Sequence, residues 1–123
     1  MLALAGSLAL GACNRQEDPA QTAQDMGEER REGNQDVQDA ARDAAENRAE
    51  GADSAQQAGD AYTIEMEKIE ADHEVAKERC DGVPPEEKSA CIADADAAYE
   101  SAKKAAEAKR DSREDGGMTP MTP

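Results

Sequence analysis

The chain contains no tryptophan or phenylalanine and only two tyrosines among its 123 residues. All four of its leucines precede Cys13. Beyond that cysteine the branched aliphatic residues are limited to Val37, Val75, Val83, Ile64, Ile69 and Ile92. Because burial of large apolar side chains is what offsets the conformational entropy lost on folding, this composition excludes a large hydrophobic core. We therefore expect an all-α, largely extended chain instead of a compact globular domain.

Basic side chains are also scarce, with 14 lysines and arginines against 29 aspartates and glutamates and a formal net charge of -15. Proteins that bind DNA or RNA need Lys and Arg to displace phosphate counterions, so this balance argues against nucleic acid as a partner. The acidic excess is spread along the chain, since residues 14–60 hold 13 acidic and 5 basic residues. No basic half is present that could bind an anionic lipid surface.

Residues 1–12 are an uncharged run of small and apolar side chains that ends abruptly at Cys13. This run is too short to span a bilayer as a helix. Its composition is typical of the apolar stretch of a secretory signal peptide, although the positively charged segment that normally precedes that stretch is missing. We predict a signal peptide over residues 1–12 whose true start lies upstream of Met1.

The last four residues of this region, Leu10-Gly11-Ala12-Cys13, resemble the lipobox of bacterial lipoproteins. The resemblance implies cleavage after Ala12 and attachment of lipid, with acyl chains such as palmitate, to the thiol of Cys13. Several acyl chains anchor a protein to a membrane far more durably than one does. The alternative is an ordinary signal peptide, or a short buried helix, in which Cys13 falls at this position by chance.

Asn14 follows the cysteine, where some lipoproteins have Asp. In lipoproteins of the proteobacterial type, Asn at this position is compatible with transfer to the outer membrane. The resemblance therefore implies a lipid-anchored protein of the bacterial cell envelope, at the outer membrane and facing the periplasm.

Three further segments are predicted from their composition. Residues 13–34 hold the lipid anchor and a stretch rich in Gln, Glu, Asp and Gly, which predicts a flexible acidic tether. Residues 35–59 have alanine at helical intervals and predict a marginal helix, because Gly51 and Gly59 each weaken a helix by about 1 kcal/mol. Residues 111–123 end in two Met-Thr-Pro repeats and predict a disordered tail.

Residues 60–110 predict an antiparallel helical hairpin, with Asp60 as the N-cap of its first helix. The apolar positions of this helix, four and three residues apart, are Tyr62, Met66, Ile69, His73, Ala76 and Cys80. Such spacing places them on one face of a helix with coiled-coil periodicity. Gly82, Pro84 and Pro85 then end the helix, and a second helix begins near Pro85. Its predicted apolar positions are Cys91, Ala95, Ala98, Ala102 and Ala105.

The cysteine count supports a disulfide bond within this hairpin. Three cysteines in an exported protein would leave one unpaired, but lipid on Cys13 leaves the pair Cys80 and Cys91. These two lie at the facing ends of the two apolar rows, and the periplasm is oxidising, so we predict that they bond and pin the hairpin. The competing interpretation is a metal site of Cys80, Cys91 and His73. Structural zinc takes four ligands with closer Cys-Cys spacing, so we predict no metal.

A second resemblance concerns the same region. The stretch Lys77-Glu78-Arg79-Cys80-Asp81, followed by Cys91 and an Ala/Lys/Glu helix, is similar to small, uncharacterised exported proteins of proteobacteria that share a paired-cysteine helical hairpin. The similarity covers residues 62–110 and implies no activity.

Enzymatic chemistry has little support in the sequence. The lone His73 falls on the apolar row of a helix, a position more typical of a structural imidazole than of a general base. Asp94, Asp96 and Glu100 lack the central glycine and the spacing of a calcium-binding loop. We therefore predict that the chain is not an enzyme and has no catalytic residues and no cofactor.

These patterns together predict a noncatalytic membrane-anchored envelope lipoprotein with a structural or protein-interaction role. Besides the membrane, we expect a protein partner or a coiled-coil homo-oligomer. The residues predicted to make that contact are Tyr62, Met66, Ile69, Ala95, Ala98 and Ala102. The alternative is a hydrophilic stress-protective protein whose acidic, alanine-rich chain folds only on dehydration or on contact with a membrane.

Overall fold

The computed structural model describes residues 16–116, which form three helices: α1 (Pro19–Ala49), α2 (Ser54–Asp81) and α3 (Pro85–Gly116). The helices contain 31, 28 and 32 residues. At 1.5 Å of rise per residue, each is therefore on the order of 45 Å long. No strand occurs in the described range. The prediction of an all-α chain is confirmed there.

The first two helices begin at aspartates that cap them. The carboxylate of Asp18 accepts a hydrogen bond from the backbone N–H of Ala20 at 2.9 Å, and Pro19 occupies the first turn of α1. Asp53 caps α2 through the backbone N–H of Gln56 at 2.9 Å. Each cap satisfies one of the backbone donors that have no partner inside the helix.

The prediction that Asp60 caps this helix is wrong. Asp60 lies inside α2, and its carboxylate accepts a hydrogen bond from the side-chain amide of Asn47 in α1 at 3.2 Å. The helix begins earlier because Asp53 supplies a cap and because the added turn buries Ala58. The start of α3 at Pro85 agrees with the prediction.

A break at residues 50–53 separates α1 from α2, inside the segment 35–59 that was predicted as one marginal helix. Gly51 has a φ of +94°, in the left-handed region that glycine enters without steric strain. Gly59 lies within α2, so only the first of the two glycines interrupts the helical segment.

Residues 19–34 are helical, which contradicts the predicted flexible tether over residues 13–34. The prediction of a tether rested on the near absence of apolar residues from this segment. The structure instead buries small residues of α1: Gly33 lies against Ala71 of α2, and Thr22 lies beside Gly82 in the turn that follows α2. Close packing of small groups contributes the dispersion energy that offsets the entropy of ordering this segment.

The first part of the predicted disordered tail, residues 111–116, is helical and continues α3. The hydroxyl of Ser112 donates to the backbone carbonyl of Ala108 at 2.8 Å within the last turns. The preceding Ala, Glu, Lys and Arg residues are strong helix formers, which accounts for the continuation of α3 through these residues. The rest of the predicted tail, residues 117–123, and the predicted signal peptide with Cys13 lie outside the described residues.

Among the described residues, α2 packs against both α1 and α3, whereas α1 and α3 do not contact each other. A Cβ atom added to Gly33 of α1 would lie 2.2 Å from the Cβ of Ala71, so α1 and α2 approach closely at this point. The helices therefore form one layer with α2 in the middle, not a closed bundle.

Small side chains make up the buried interior of this layer. The residues with the least exposure are Thr22, Ala44, Ala58, Cys80, Ala95 and Ala106. The larger Tyr62, Met66 and Ile69 are half-buried. Within the described residues, no helix has the length and apolar character needed to cross a bilayer.

Candidate functional site

Five of the six predicted contact residues lie along the α2–α3 interface. Ile69, Ala95, Ala98 and Ala102 line a groove of about 230 Å³ between the two helices. The other lining residues are Asp72, His73, Ala76 and Tyr99. Ala95 is buried, whereas Ala98 is exposed at the groove edge. The groove is therefore apolar at its floor and accessible from one side.

The register of α3 differs from the predicted apolar row at two places. Ala98 and Ala105 were predicted to face α2, but both are exposed. Tyr99 and Ala106 occupy the facing positions instead, and Ala106 is only 1% exposed. Helical spacing also fits the row Ala95, Tyr99, Ala102 and Ala106. This row includes Tyr99, the largest apolar residue of α3, and its size was the signal that the sequence prediction missed.

His73 connects α2 to α3 near the middle of the layer. Its Nε2 lies 2.7 Å from Oδ1 of Asp96, and its ring stacks on Tyr99 with the ring centroids 4.6 Å apart. Its Nδ1 lies 3.8 Å from a carboxylate oxygen of Glu74 on its own helix. The imidazole therefore links two helices through a polar and an aromatic contact, in line with the structural role predicted for it.

Cys80 and Cys91 form a disulfide bond, with their Cα atoms 5.6 Å apart. This confirms the predicted pairing over the alternative in which both cysteines bind a metal as thiolates. Cys80 is only 1% exposed, so the bond is shielded at the end of the layer where α2 leads into α3. A bond at this place fixes the two helices at one end.

The opposite end of the α2–α3 interface is held by charged and aromatic contacts. Lys109 of α3 forms an ion pair with Glu65 of α2. The guanidinium of Arg110 lies over the ring of Tyr62, 4.7 Å from its centroid. The ring face of tyrosine attracts a cation electrostatically, so this contact favours the pairing of the two helices. Late residues of α3 thus contact early residues of α2.

The amino-terminal end of the described chain packs on the turn between α2 and α3. The backbone N–H of Glu17 donates to the carbonyl of Asp81 at 2.8 Å. The side-chain amide of Gln16 donates to the carbonyl of Gly82 at 2.9 Å. We call this region the disulfide end; it consists of residues 16–17, the turn 81–85 and the Cys80–Cys91 bond.

Three carboxylates form a cluster near the disulfide end, between α1 and α2. Side-chain oxygens of Glu17, Asp25 and Glu78 lie within 4.8 Å of one another, and all three residues are half-buried. Oxygen ligands of this kind are those that calcium and magnesium prefer, so these residues could hold a hard cation. Sequence reasoning missed the cluster because its members are distant in the chain.

Burial raises the pKa of Glu78, and the negative charges of neighbouring carboxylates raise it further. Those neighbours, in order of effect, are Asp81, Asp25, Glu29 and Glu17. Both causes disfavour the charged form of the Glu78 carboxyl group. At neutral pH the cluster therefore opposes the packing of α1 on α2.

A second acidic region follows the α1–α2 interface toward the turn at residues 50–53. Its groove of about 380 Å³ is lined by Asp36, Asp39, Ala40, Asp43, Asn47, Asp60, Thr63 and Glu67. Asp39 is paired with Arg42 at 3.0 Å, and Asp60 accepts from Asn47. Five carboxylates of the two helices thus line a shared groove.

Comparison with known proteins identifies no family for this fold. No protein-family model matches the chain, and no curated protein or solved structure gives a significant match to it.

Proposed function

We propose that this chain is a noncatalytic lipoprotein of a bacterial cell envelope, anchored through lipid on Cys13, with a structural or protein-interaction role. The observation that best supports this role is that, within residues 16–116, each outer helix packs on α2 and not on the other outer helix. α1 and α3 therefore each keep a long side open to another molecule, as expected for a helical scaffold that binds a partner.

The proposed location in the cell envelope is supported by two independent features. The sequence Leu10-Gly11-Ala12-Cys13 resembles a lipobox, and Cys80 and Cys91 are joined in a disulfide bond. Structural disulfides persist in oxidising compartments such as the periplasm and are rare in the cytosol. An exported protein at the outer membrane, facing the periplasm, accounts for both features.

In this proposal α2 and α3 act as an antiparallel hairpin pinned by the disulfide. The order of contacts supports this arrangement: Cys80 bonds to Cys91, His73 contacts Asp96, and Glu65 pairs with Lys109. A hairpin closed at one end presents a rigid groove, and rigidity lowers the entropic cost of binding. A protein partner or a second copy would contact the open side of the groove near Ala98 and Ala102.

Metabolic labelling with palmitate tests the anchor. We expect label on the wild-type protein and its loss in Cys13→Ser, together with release of the variant from the membrane fraction. The control is the double variant Cys80→Ser, Cys91→Ser, which should keep its label because the lipobox is intact. An unlabelled wild-type protein, or a Cys13→Ser variant that stays on the membrane, would refute the proposed lipid anchor on Cys13.

Site-specific photo-crosslinking in the envelope tests the interaction role. A photoreactive residue in place of Ala98, at the edge of the groove, should give a cross-linked product. The same residue in place of Ala93, which is equally exposed on α3 but does not line the groove, is the matched control. Mass spectrometry then distinguishes a second copy from a different protein. Equal products from both sites would contradict recognition through this groove.

One observation favours the alternative of a stress-protective protein. Among the described residues, four of the six buried side chains are alanines, which contribute little hydrophobic free energy per residue. A chain of that kind could remain unfolded in dilute buffer and gain helix only on drying or on membrane contact. The helix content of the free protein in dilute buffer distinguishes the two functions, since a high content favours the scaffold and a low content favours the stress-protective protein.

A further inference from the structure

The distance between Cys13 and the folded part of the chain is limited by covalent geometry. Gln16 and Glu17 are hydrogen-bonded to the turn between α2 and α3. Only three residue steps separate Cys13 from Gln16 in the sequence. A fully extended chain covers at most about 3.6 Å per residue, so the Cα atom of Cys13, which would bear the lipid, cannot lie more than about 11 Å from the Cα atom of Gln16.

We propose that the disulfide end faces the lipid bilayer and that the turn at residues 50–53 projects away from it. This inference rests on the lipid anchor at Cys13 proposed above. It replaces the predicted tether of residues 13–34, which would have let the helices move freely above the membrane.

The length of the helices determines how far the turn at residues 50–53 lies from the disulfide end. α1 leads away from the disulfide end for 31 residues, which is about 46 Å at 1.5 Å per residue. The chain then turns at Gly51 and returns along α2 to the disulfide. With a three-residue link at one end, the turn at 50–53 can approach the bilayer only if the whole layer lies flat.

The negative charge of the chain favours an upright arrangement, in which the disulfide end faces the bilayer and the helices extend away from it. The long α1–α2 groove carries Asp36, Asp39, Asp43, Asp60 and Glu67, and a formal charge of -15 is spread over the whole chain. Lying flat would bring these carboxylates to the headgroups, and an anionic leaflet repels them. An upright layer keeps most of the acidic side chains away from the surface.

Tryptophan fluorescence tests the orientation, because the natural chain contains no tryptophan. Glu86→Trp places the reporter in the first turn of α3 at the disulfide end, and Glu50→Trp places it at the end of α1. Both positions are exposed glutamates, so the two variants change charge equally. Each lipidated protein is reconstituted into vesicles of phosphatidylcholine and anionic phosphatidylglycerol that contain a lipid with a nitroxide on its headgroup.

We expect the nitroxide to quench Glu86→Trp several-fold more strongly than Glu50→Trp. Equal quenching, or stronger quenching of Glu50→Trp, overturns the proposed orientation. Palmitate on Cys13 is measured in the same samples: its absence overturns the anchor, whereas equal quenching with palmitate present overturns the orientation alone. Far-ultraviolet circular dichroism checks folding, and Glu87→Trp, exposed in the same turn, replaces Glu86→Trp if that variant does not fold.

Discussion

Gly33 lies where α1 comes closest to α2, and its missing side chain allows that approach. A Cβ atom at this position would lie 2.2 Å from the Cβ of Ala71, which is far inside van der Waals contact. Gly27, in the same helix, has no neighbouring atom within 4 Å of its added Cβ. The two glycines have the same helix propensity, so their different surroundings isolate the effect of packing.

We expect Gly33→Ala to lower the free energy of unfolding by about 1–3 kcal/mol, because the added methyl group forces α1 and α2 apart. Gly27→Ala should raise it by about 0.4–1 kcal/mol, since alanine favours the helix and nothing obstructs it. Urea denaturation followed by circular dichroism measures both values. Equal effects of the two substitutions would show that the close contact between Gly33 and Ala71 does not form in solution.

Glu78 provides a second test at the residue scale, through pH. Its pKa is raised in the folded protein, first by burial and then by the nearby carboxylates. Protonation of a group with a raised pKa favours the folded state. The stability that this group contributes is complete below its ordinary pKa and is lost as pH rises through the raised value.

We therefore expect Glu78→Gln to raise the melting temperature at neutral pH and to weaken the gain in stability on mild acidification. The effect should stay below about 1 kcal/mol, because the side chain is only partly buried and salt screens its neighbours. Glu70→Gln, at an exposed position of α2, is the control. Thermal melts at several pH values check the expectation, and identical pH profiles of the two variants would contradict it.

At the scale of elements, α2 determines the arrangement because it is the only helix that contacts both others among the described residues. Its two interfaces are stabilised differently. α1 is held by close packing of small groups, whereas α3 is held by the disulfide, the His73–Tyr99 stack and the Lys109–Glu65 ion pair. The interface with α3 should therefore depend on redox conditions.

Loss of the disulfide should lower the free energy of unfolding by about 3 kcal/mol, the entropy expected for a short closed loop. The bond joins residues 11 positions apart. The Cys13→Ser protein, which retains the bond, should lose this stability on addition of a reducing agent. A variant in which Cys80 and Cys91 are also serine should already lack it and show no response. If the reducing agent lowers the stability of both proteins equally, the loss of stability is not due to this disulfide.

At the scale of the whole molecule, the layer buries little apolar surface and carries a formal charge of -15. Helix length compensates in part, since three helices of 31, 28 and 32 residues share two long interfaces. The scaffold function requires this architecture to be folded in the absence of a membrane, whereas the stress-protective alternative requires a mostly unfolded free chain.

Circular dichroism of the soluble Cys13→Ser protein in dilute buffer separates these cases. We expect about three-quarters of the chain to be helical with the disulfide oxidised, in agreement with the lengths of the three helices. Less than about a third helix would instead indicate a disordered free chain and favour the stress-protective function. Adding vesicles or trifluoroethanol provides the reference for a fully helical state.

Local signals in the sequence determined the helical class, the start of α3 at Pro85 and the pairing of Cys80 with Cys91. Helix propensity and proline act over a few residues, and the pairing followed from the cysteine count and the helical spacing, so none of the three required knowledge of the fold. The helical state of residues 19–34, the place of Tyr99 in the α2–α3 interface and the cluster of Glu17, Asp25 and Glu78 were decided by the tertiary structure. Each of these depends on contact between residues far apart in the chain, where small side chains let two backbones approach. A local sequence pattern does not indicate which distant residue will be the partner.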